Sequence, residues 1–150
     1  MATNISTYAL KLVKVKGGRY EGNGIITDPA TGANLIEELF DMETQAEEIM
    51  VMLTLNTKHK VTGAFEVSRG TLNSSLVHPR EVFKRALLNN AAAIIIGHNH
   101  PSGNPTPSQD DIAVTRRLVE AGNLLGVKVL DHIITGESGQ YTSLRERGII

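Results

Sequence analysis

Residues 91–111, AAAIIIGHNHPSGNPTPSQDD, join a fully apolar segment to a polar loop that contains three prolines. The apolar part, Ala91–Ile96, predicts a buried strand because both of its faces carry alanine or isoleucine side chains. Such strands are typical of the centre of a sheet that is covered by helices on both faces. We therefore expect helices and strands to alternate on either side of this stretch.

The neighbouring segments show that alternation. Apolar spacing and turn residues predict a helix over Asn34–Ala46, strands over Ile49–Leu55 and Val61–Val67, a helix from Pro79 to about Asn90, a helix over Ser108–Leu125, and a strand over Val127–Thr135 with a short partner near Tyr141. The order α-β-β-α-β-α-β predicts an α/β fold with a mixed central sheet flanked by helices. The chemistry is expected where the strand Ala91–Ile96 leaves the sheet.

The first 30 residues have a different pattern. Apolar and polar residues partly alternate from Tyr8 to Val15, glycines then interrupt the pattern, and Asp28-Pro29 predicts a turn. We predict an N-terminal extension over residues 1–30, with an edge hairpin as its candidate form. Residues 31–150 are predicted to form a single domain.

The composition restricts the classes of protein and of site. The chain has 150 residues, a formal net charge of −1 and no cysteine. A nearly neutral chain has no global positive field for nucleic acid or an anionic membrane, and we expect neither a membrane span nor a signal peptide. The lack of cysteine excludes disulfides and thiolate ligands and agrees with a cytoplasmic location, so a metal would need nitrogen and oxygen ligands.

Two histidines follow the predicted central strand. Residues two apart in extended backbone point to the same side, so His98 and His100 can direct their imidazoles at one point. The stiff proline loop returns the chain, and Asp111 in the first turn of the next helix can add a carboxylate oxygen. Three such ligands with one position open to water are typical of catalytic zinc. His98, His100 and Asp111 are therefore the predicted metal ligands, and Zn²⁺ is the predicted cofactor.

Two residues near Asp111 allow other interpretations. Ser108-x-x-Asp111 also fits a capping box, in which Ser108 caps the helix, and this role is compatible with a metal site. Asp110 is a rival ligand. It lies a helical step away from the face shared by Val114 and Leu118, which favours Asp111.

A hydrolytic zinc site also needs a general base that is not itself a ligand. Glu48, directly before the apolar run 49–55, is one candidate, whereas its neighbour Glu47 fits a solvated charge. Glu66, on the following predicted strand, is the other candidate. The residues alone favour Glu48 over Glu66 only slightly.

Taken together, these residues resemble a known family. His98-x-His100 followed by Ser108-x-x-Asp111 is similar to the JAMM signature of the JAB/MPN zinc hydrolases. The resemblance is sharper to the bacterial RadC proteins, over roughly residues 33–150. Four stretches carry it: Gly70-Thr71-Leu72, His78-Pro79-Arg80-Glu81, His98-Asn99-His100-Pro101-Ser102-Gly103 and Asp131-His132-Ile133-Ile134.

The resemblance implies an MPN fold, a three-layer architecture related to that of cytidine deaminases. It also implies zinc ligands at His98, His100 and Asp111 and a hydrogen-bonding, oxyanion-stabilising serine at Ser108. The catalytic glutamate of the family precedes the strand before the hairpin, which matches Glu48 and favours it over the alternative on the next strand.

The expected function is zinc-dependent hydrolysis of a peptide or isopeptide bond, with an unknown peptide or protein as substrate. The alternative is a non-catalytic interaction module in DNA repair or mobile-element DNA metabolism, a hypothesis that rests on the family name. Deamination is disfavoured because zinc deaminases use His-x-Glu with cysteine ligands. A two-metal nuclease would be expected to have more carboxylates.

Direct DNA binding has little support from the sequence. RadC-like proteins usually carry a helix-hairpin-helix module before this domain, whereas about 30 strand-like residues precede it here. A local basic patch is the remaining candidate, although a solvated helix face explains Lys84 and Arg85 equally well. The patch would consist of Lys58, His59, Lys60, Arg69, Arg80, Lys84 and Arg85.

Asp131 and His132 have two equally weighted interpretations. Either they lie beside the metal site, with Asp131 orienting a ligand histidine, or they form a hydrogen-bonded pair in the core. His78-Pro79-Arg80 begins the second predicted helix and is expected to border the cleft.

Overall fold

The computed structural model describes residues 1–70 and 77–150, so Thr71 and Leu72 of the first RadC-like stretch lie outside the described residues. The described elements, in chain order, are helix α1 (Pro29–Phe40), a 3-10 helix (Met42–Thr44), strands β1 (Ile49–Leu55) and β2 (Val61–Arg69), helix α2 (Pro79–Leu88), strand β3 (Ala93–Asn99), helix α3 (Gln109–Leu125), and strands β4 (Lys128–Thr135) and β5 (Tyr141–Ser143). Their order is the predicted one.

The strands of the described chain form one mixed sheet in the order β2-β1-β3-β4-β5. β1 is antiparallel to β2 and β3, β4 is parallel to β3, and β5 is antiparallel to β4. β1 and β3 are buried along their whole length, as their continuous apolar runs predict. The structure confirms the predicted α/β fold with a mixed central sheet.

Helices cover both faces of the sheet because alternate side chains of each central strand enter different cores. On one face α1 packs over Val51 and its neighbours. On the other face α2 and α3 pack over Met52, Ile94 and Ile96. His98 is two residues beyond Ile96 and therefore faces α3. None of the described helices is both long and apolar enough to cross a bilayer.

Helix α1 begins and ends earlier than the predicted range Asn34–Ala46. The Asp28 Oδ1 atom caps the helix by accepting the N–H of Thr31 at 2.7 Å, and Pro29 lies in the first turn, where its missing N–H is not needed. Asp41 ends the helix in the left-handed conformation, with φ of 47°. The expected turn at Asp28-Pro29 is thus a helix N-terminus, and the predicted division between residues 30 and 31 falls within α1.

Strand β3 begins and ends later than the predicted range Ala91–Ile96. Its pairing with β1 continues to Met50 opposite His98, and its pairing with β4 continues to Thr135 opposite Asn99. Backbone hydrogen bonds from two neighbouring strands therefore keep these polar residues in the sheet. The length of the strand depends on partners that are distant in sequence.

The N-terminal segment does not form the edge hairpin that the sequence suggested. Residues 1–24 contain no helix or strand, and the apolar side chains Leu10 and Val15 are exposed. This region joins the sheet through a single bridge between Ile25 and Lys60. Alternating apolar residues produce a strand only when one face is buried, and here neither face is.

Candidate metal centre

Strand β3 and helix α3 bring the three predicted ligands together. His98 lies near the end of β3, His100 follows the strand directly, and Asp111 lies in the first turn of α3. His98 Nε2 is 3.1 Å from Asp111 Oδ1, and His100 Nε2 is 3.1 Å from Asp111 Oδ2. The two Nε2 atoms are 3.0 Å apart. Two imidazole nitrogens and one carboxylate therefore face a common point.

The loop after β3 holds the imidazole of His100 in this orientation. The backbone N–H of His100 donates to Thr135 O, and the N–H of Gly103 donates to His100 O, both at 2.9 Å. His100 Nδ1 lies 2.8 Å from the backbone oxygen of Asn104. A carbonyl oxygen can only accept, so Nδ1 carries the ring proton. In the neutral ring, Nε2 then presents its lone pair to the common point.

Asp111 belongs both to the helix cap and to this cluster. Ser108 Oγ accepts the N–H of Asp111 at 3.0 Å, and Asp111 Oδ2 accepts the N–H of Ser108 at 2.8 Å. The predicted capping box is therefore present, and the same carboxylate faces both histidines. The rival residue Asp110 is exposed, whereas Asp111 is buried. The cap thus fixes the carboxylate oxygens in place.

The charges at this point favour a cation. Burial opposes ionisation of Asp111, but the adjacent His100 and His98 rings and the N–H of Ser108 outweigh it and hold the pKa of this carboxyl well below its usual range. The hydrogen bond to Asp111 raises the pKa of His100, and the charges of Asp111 and Glu48 act in the same direction. The cluster therefore attracts either a proton on His100 or a metal ion.

The donor set fits a metal ion. One ligand atom from each of His98, His100 and Asp111 lies within 4.8 Å of the others. Ligand atoms at about 2.0–2.2 Å from a tetrahedral zinc ion lie roughly 3.3 Å from one another. The spacings of 3.0 and 3.1 Å in the cluster are close to this value. The group could hold a metal ion, while the role of each residue as a ligand stays a prediction.

The two candidate bases have different surroundings. Glu48 is half-buried directly before β1, and its charge acts on His100. Glu66 is exposed on β2 and forms an ion pair with Arg69. The position of Glu48 suits a general base at this cluster, and that role also stays a prediction.

Asn99 holds the segment that carries Glu48, a contact that the sequence patterns did not reveal. Its Oδ1 atom accepts the N–H of Ile49 at 2.7 Å, and its Nδ2 atom donates to Glu47 O at 3.0 Å. The side chain is buried and points away from the histidines on either side of it, as strand alternation requires. Asn99 therefore ties the backbone around Glu48 to the end of β3.

The contact expected for Asp131 is made by its neighbour. His132 Nε2 lies 2.6 Å from His98 Nδ1, so His132 is the β4 residue beside a predicted ligand. Asp131 instead accepts hydrogen bonds from Ser143 Oγ at 2.6 Å and Arg145 N at 3.1 Å, and burial raises its pKa. The contact follows from the parallel pairing of His132 with Ile96, a register that the sequence does not reveal.

His78 and the basic patch have local explanations. The Nδ1 atom of His78 caps α2 by accepting the N–H of Arg80 at 3.0 Å. Three cations of the patch are paired with carboxylates, which reduces their field. The pairs are Arg69–Glu66, Lys84–Glu81 and Arg85–Glu81.

Known proteins resemble this chain over the region that contains the sheet and the candidate metal centre. The family model of the RadC-like JAB domain matches residues 26–149. A UPF0758 protein of Moorella thermoacetica is 55% identical over 126 residues, which are 84% of this chain and 54% of the relative. The UPF0758 protein YsxA of Bacillus subtilis is 51% identical over 130 residues, or 87% of this chain and 55% of the relative.

This chain spans about half the length of the curated relatives that it matches. The family match begins before α1 and ends after β5, so it includes every described element and the cluster at the end of β3. The fold, the paired histidines and the capped aspartate agree with that match, and the chain belongs to the RadC-like JAB domain family.

Proposed function

We propose that this chain is a zinc-dependent metallohydrolase that cleaves a peptide or isopeptide bond. The convergence of His98 Nε2, His100 Nε2 and the Asp111 carboxylate is the observation that supports it most. Three protein ligands leave one position of a four-coordinate zinc for water, which is the arrangement of catalytic rather than structural sites.

Zinc in this cluster would supply a Lewis acid that lowers the pKa of water and polarises the substrate carbonyl. Glu48 would accept the proton of the attacking water and later transfer it to the leaving amine. Its half-buried position beside His100 suits this role, because its charge already acts on that ring. Asn99 would limit the movement of the base by holding the backbone around it.

Ser108 would stabilise the negative charge that develops on the carbonyl oxygen. Its Oγ atom accepts the N–H of Asp111, which leaves the hydroxyl proton for donation to the substrate. The N–H of Ser108 is held by the carboxylate of Asp111, so the hydroxyl is placed beside the predicted ligands.

The proposal is tested with protein purified without added metal. We expect stoichiometric zinc by elemental analysis and cleavage within a library of linear peptides and ε-linked isopeptides. Chelation should abolish cleavage, and added zinc should restore it. Protein that fails to bind zinc even at saturating concentrations would contradict the proposal.

Glu48→Gln separates the base from the metal ligands. Because general-base catalysis contributes typically about 10²- to 10⁴-fold, we expect kcat to fall by that factor while zinc content is unchanged. Glu47→Gln is the matched control, since Glu47 is the exposed neighbour of Glu48. Full activity of the Glu48 variant would remove this residue from the mechanism.

The same variant distinguishes hydrolysis from the alternative of an interaction module in DNA metabolism. A hydrolase loses its biological activity with Glu48→Gln while its fold and its partner binding survive. If the variant supports that activity as well as the unchanged protein does, the interaction module is the better hypothesis.

A further inference from the structure

His132 is a buried histidine that the proposed reaction does not use directly. It lies on β4, on the face of the sheet covered by α3, and it is only 1% exposed. Its Nε2 atom is 2.6 Å from His98 Nδ1, and its Nδ1 atom is 2.5 Å from Thr115 Oγ1. Both ring nitrogens of His132 are therefore in hydrogen bonds with residues of other elements.

The backbone oxygen of Asp111, which accepts from Thr115, determines which atom donates in each of these hydrogen bonds. Thr115 Oγ1 lies 2.7 Å from the backbone oxygen of Asp111, which can only accept. The hydroxyl has one proton and donates it there, so the contact with His132 must use a lone pair of Thr115 Oγ1. His132 therefore donates from Nδ1.

The tautomer of His132 determines that of His98. A neutral imidazole has one N–H, and burial favours the neutral form. With its proton on Nδ1, His132 accepts at Nε2, and the proton of that hydrogen bond comes from His98 Nδ1. His98 Nε2 is then left with a lone pair, and this is the atom that faces Asp111 and His100.

We propose that Thr115 and His132 are positioning residues that hold His98 as the Nδ1–H tautomer, with its Nε2 lone pair directed at the metal. This inference rests on the proposed metal function. The chain of hydrogen bonds begins at the backbone oxygen of Asp111 and ends beside its carboxylate. Asp111 therefore lies at both ends of this chain of hydrogen bonds. Its backbone oxygen accepts from Thr115, and its carboxylate is the third predicted ligand.

The two histidines are held by different means. A backbone oxygen of the loop, that of Asn104, accepts from His100 directly. His98 lies within the sheet and reaches a backbone oxygen only through His132 and Thr115. Because these two side chains are buried, the positioning of His98 depends on the packing of α3 against β4.

Thr115→Val tests the proposal, with Thr115→Ser as the matched control. Valine has nearly the shape of threonine but removes the oxygen that accepts from His132, whereas serine keeps it. In zinc-free protein with ¹⁵N-labelled histidine, we expect His98 Nδ1 to be protonated in the unchanged protein and in Thr115→Ser. In Thr115→Val we expect a mixture of both tautomers. Zinc affinity, measured by chelator competition, should fall about 10- to 100-fold in Thr115→Val only.

His132→Gln provides a second test if the valine variant does not fold. The amide oxygen of glutamine can accept from His98 and its amide nitrogen can donate to Thr115, so this variant should keep more zinc affinity than His132→Leu. A proton on His98 Nε2 in the zinc-free unchanged protein would overturn the proposal. Equal zinc affinity of Thr115→Val and Thr115→Ser would overturn it as well.

The tautomer measurement needs neither zinc nor a substrate. A predicted tautomer that is lost in Thr115→Val supports the hydrogen-bond chain even if no hydrolysis is found. Failure of the hydrolase proposal is therefore distinguishable from failure of this one.

Discussion

At the scale of single residues, Asp111 takes part in a helix cap and also lies in the predicted metal site, and the sequence allowed both roles together. Its N–H and one carboxylate oxygen complete the cap of α3 with Ser108. Its two carboxylate oxygens also face the two histidines. A residue that the helix cap already orders loses little further freedom when it binds a metal, which favours affinity.

The Asp111 and His100 pair predicts a defined pH dependence for the zinc-free protein. The pKa of His100 is raised above its ordinary 6.5, so its contribution to stability is complete below that value and is lost as the pH rises through the folded-state pKa. The pKa of Asp111 is lowered below its ordinary 3.8, so its contribution is complete above that value and is lost as the pH falls towards the folded-state pKa.

The difference in unfolding free energy between the unchanged protein and His100→Gln should therefore be largest between these two ordinary values. Urea denaturation in the presence of a chelator, at pH 3, pH 5.5 and pH 9, measures it. A difference that is the same at all three pH values would show that the pair does not stabilise the fold through its charges.

Asp111→Asn tests the carboxylate itself. Asparagine can still cap the helix through its side-chain oxygen but carries no charge. We therefore expect a strong fall in zinc affinity and only a small fall in the Tm of the zinc-free protein. Asp110→Asn is the control, because Asp110 is exposed in the same turn of α3. Equal zinc affinities of the two variants would exclude Asp111 as a ligand.

At the scale of elements, the loop after β3 is supported by the turn between β4 and β5. A Cβ atom at Gly136 would lie 2.4 Å from Gly103 O and 2.8 Å from Pro105 Cδ, so no other residue fits without displacing the loop. The N–H of Glu137 also donates to Gly103 O at 3.0 Å. The position of the loop therefore depends on a glycine in a distant segment.

Gly136→Ala should weaken zinc binding through this loop. Displacing the loop moves Asn104 O, which holds the Nδ1 proton of His100. We expect a lower zinc affinity by chelator competition, with Ser138→Ala in the same turn as the control. Unchanged zinc affinity in a folded Gly136→Ala protein would mean that the loop does not position His100.

Gly97 connects helix α1 to the same end of the sheet. A Cβ atom at this position would lie 2.8 Å from Ile36 Cδ1 and 3.1 Å from Val51 Cγ2, both in the core under α1. Gly97→Ala should therefore cost about 1–3 kcal/mol of stability by overpacking, measured by denaturant unfolding. Ile36→Val removes the nearer methyl group and should cost less in the Gly97→Ala background than alone. If the losses of unfolding free energy in the two single variants simply added up in the double variant, this packing explanation would be wrong.

At the scale of the whole molecule, the candidate metal site of His98, His100 and Asp111 lies where β3 and α3 meet. His98 lies on β3 and His100 directly follows this strand, whereas Asp111 lies in the first turn of α3. A bound ion would therefore link two elements that are otherwise joined by the proline-containing loop and by core contacts. Binding to the folded state alone should raise its stability.

Zinc at about 100 times its Kd should stabilise the protein by roughly 2.7 kcal/mol. For a chain of this length that corresponds to a rise in Tm of roughly 5–10 °C. Thermal unfolding with and without zinc measures it, and His100→Ala should abolish the shift. A shift of equal size in that variant would place the zinc elsewhere.

Much of the fold was predictable because its causes are local. The apolar run of β1 has the same bounds in the structure as in the prediction, and Gly126 ends α3 in the left-handed conformation expected of a C-cap. Strand alternation predicts that His98 and His100 face the same side, and the loop after β3 then holds the ring of His100. The start of α1 was missed because Asp28-Pro29 fits a turn and a helix N-terminus equally well.

The sequence by itself determined the alternation of helices and strands, the pair of histidines and the capped aspartate, because each depends on residues close together in the chain. Only the tertiary structure decided that His132 rather than Asp131 contacts His98, and that Asn99 holds the backbone beside Glu48. These contacts join residues 34, 50 and 52 positions apart. Their partners are set by sheet register and by the packing of α3, and neither leaves a pattern in a single segment of sequence.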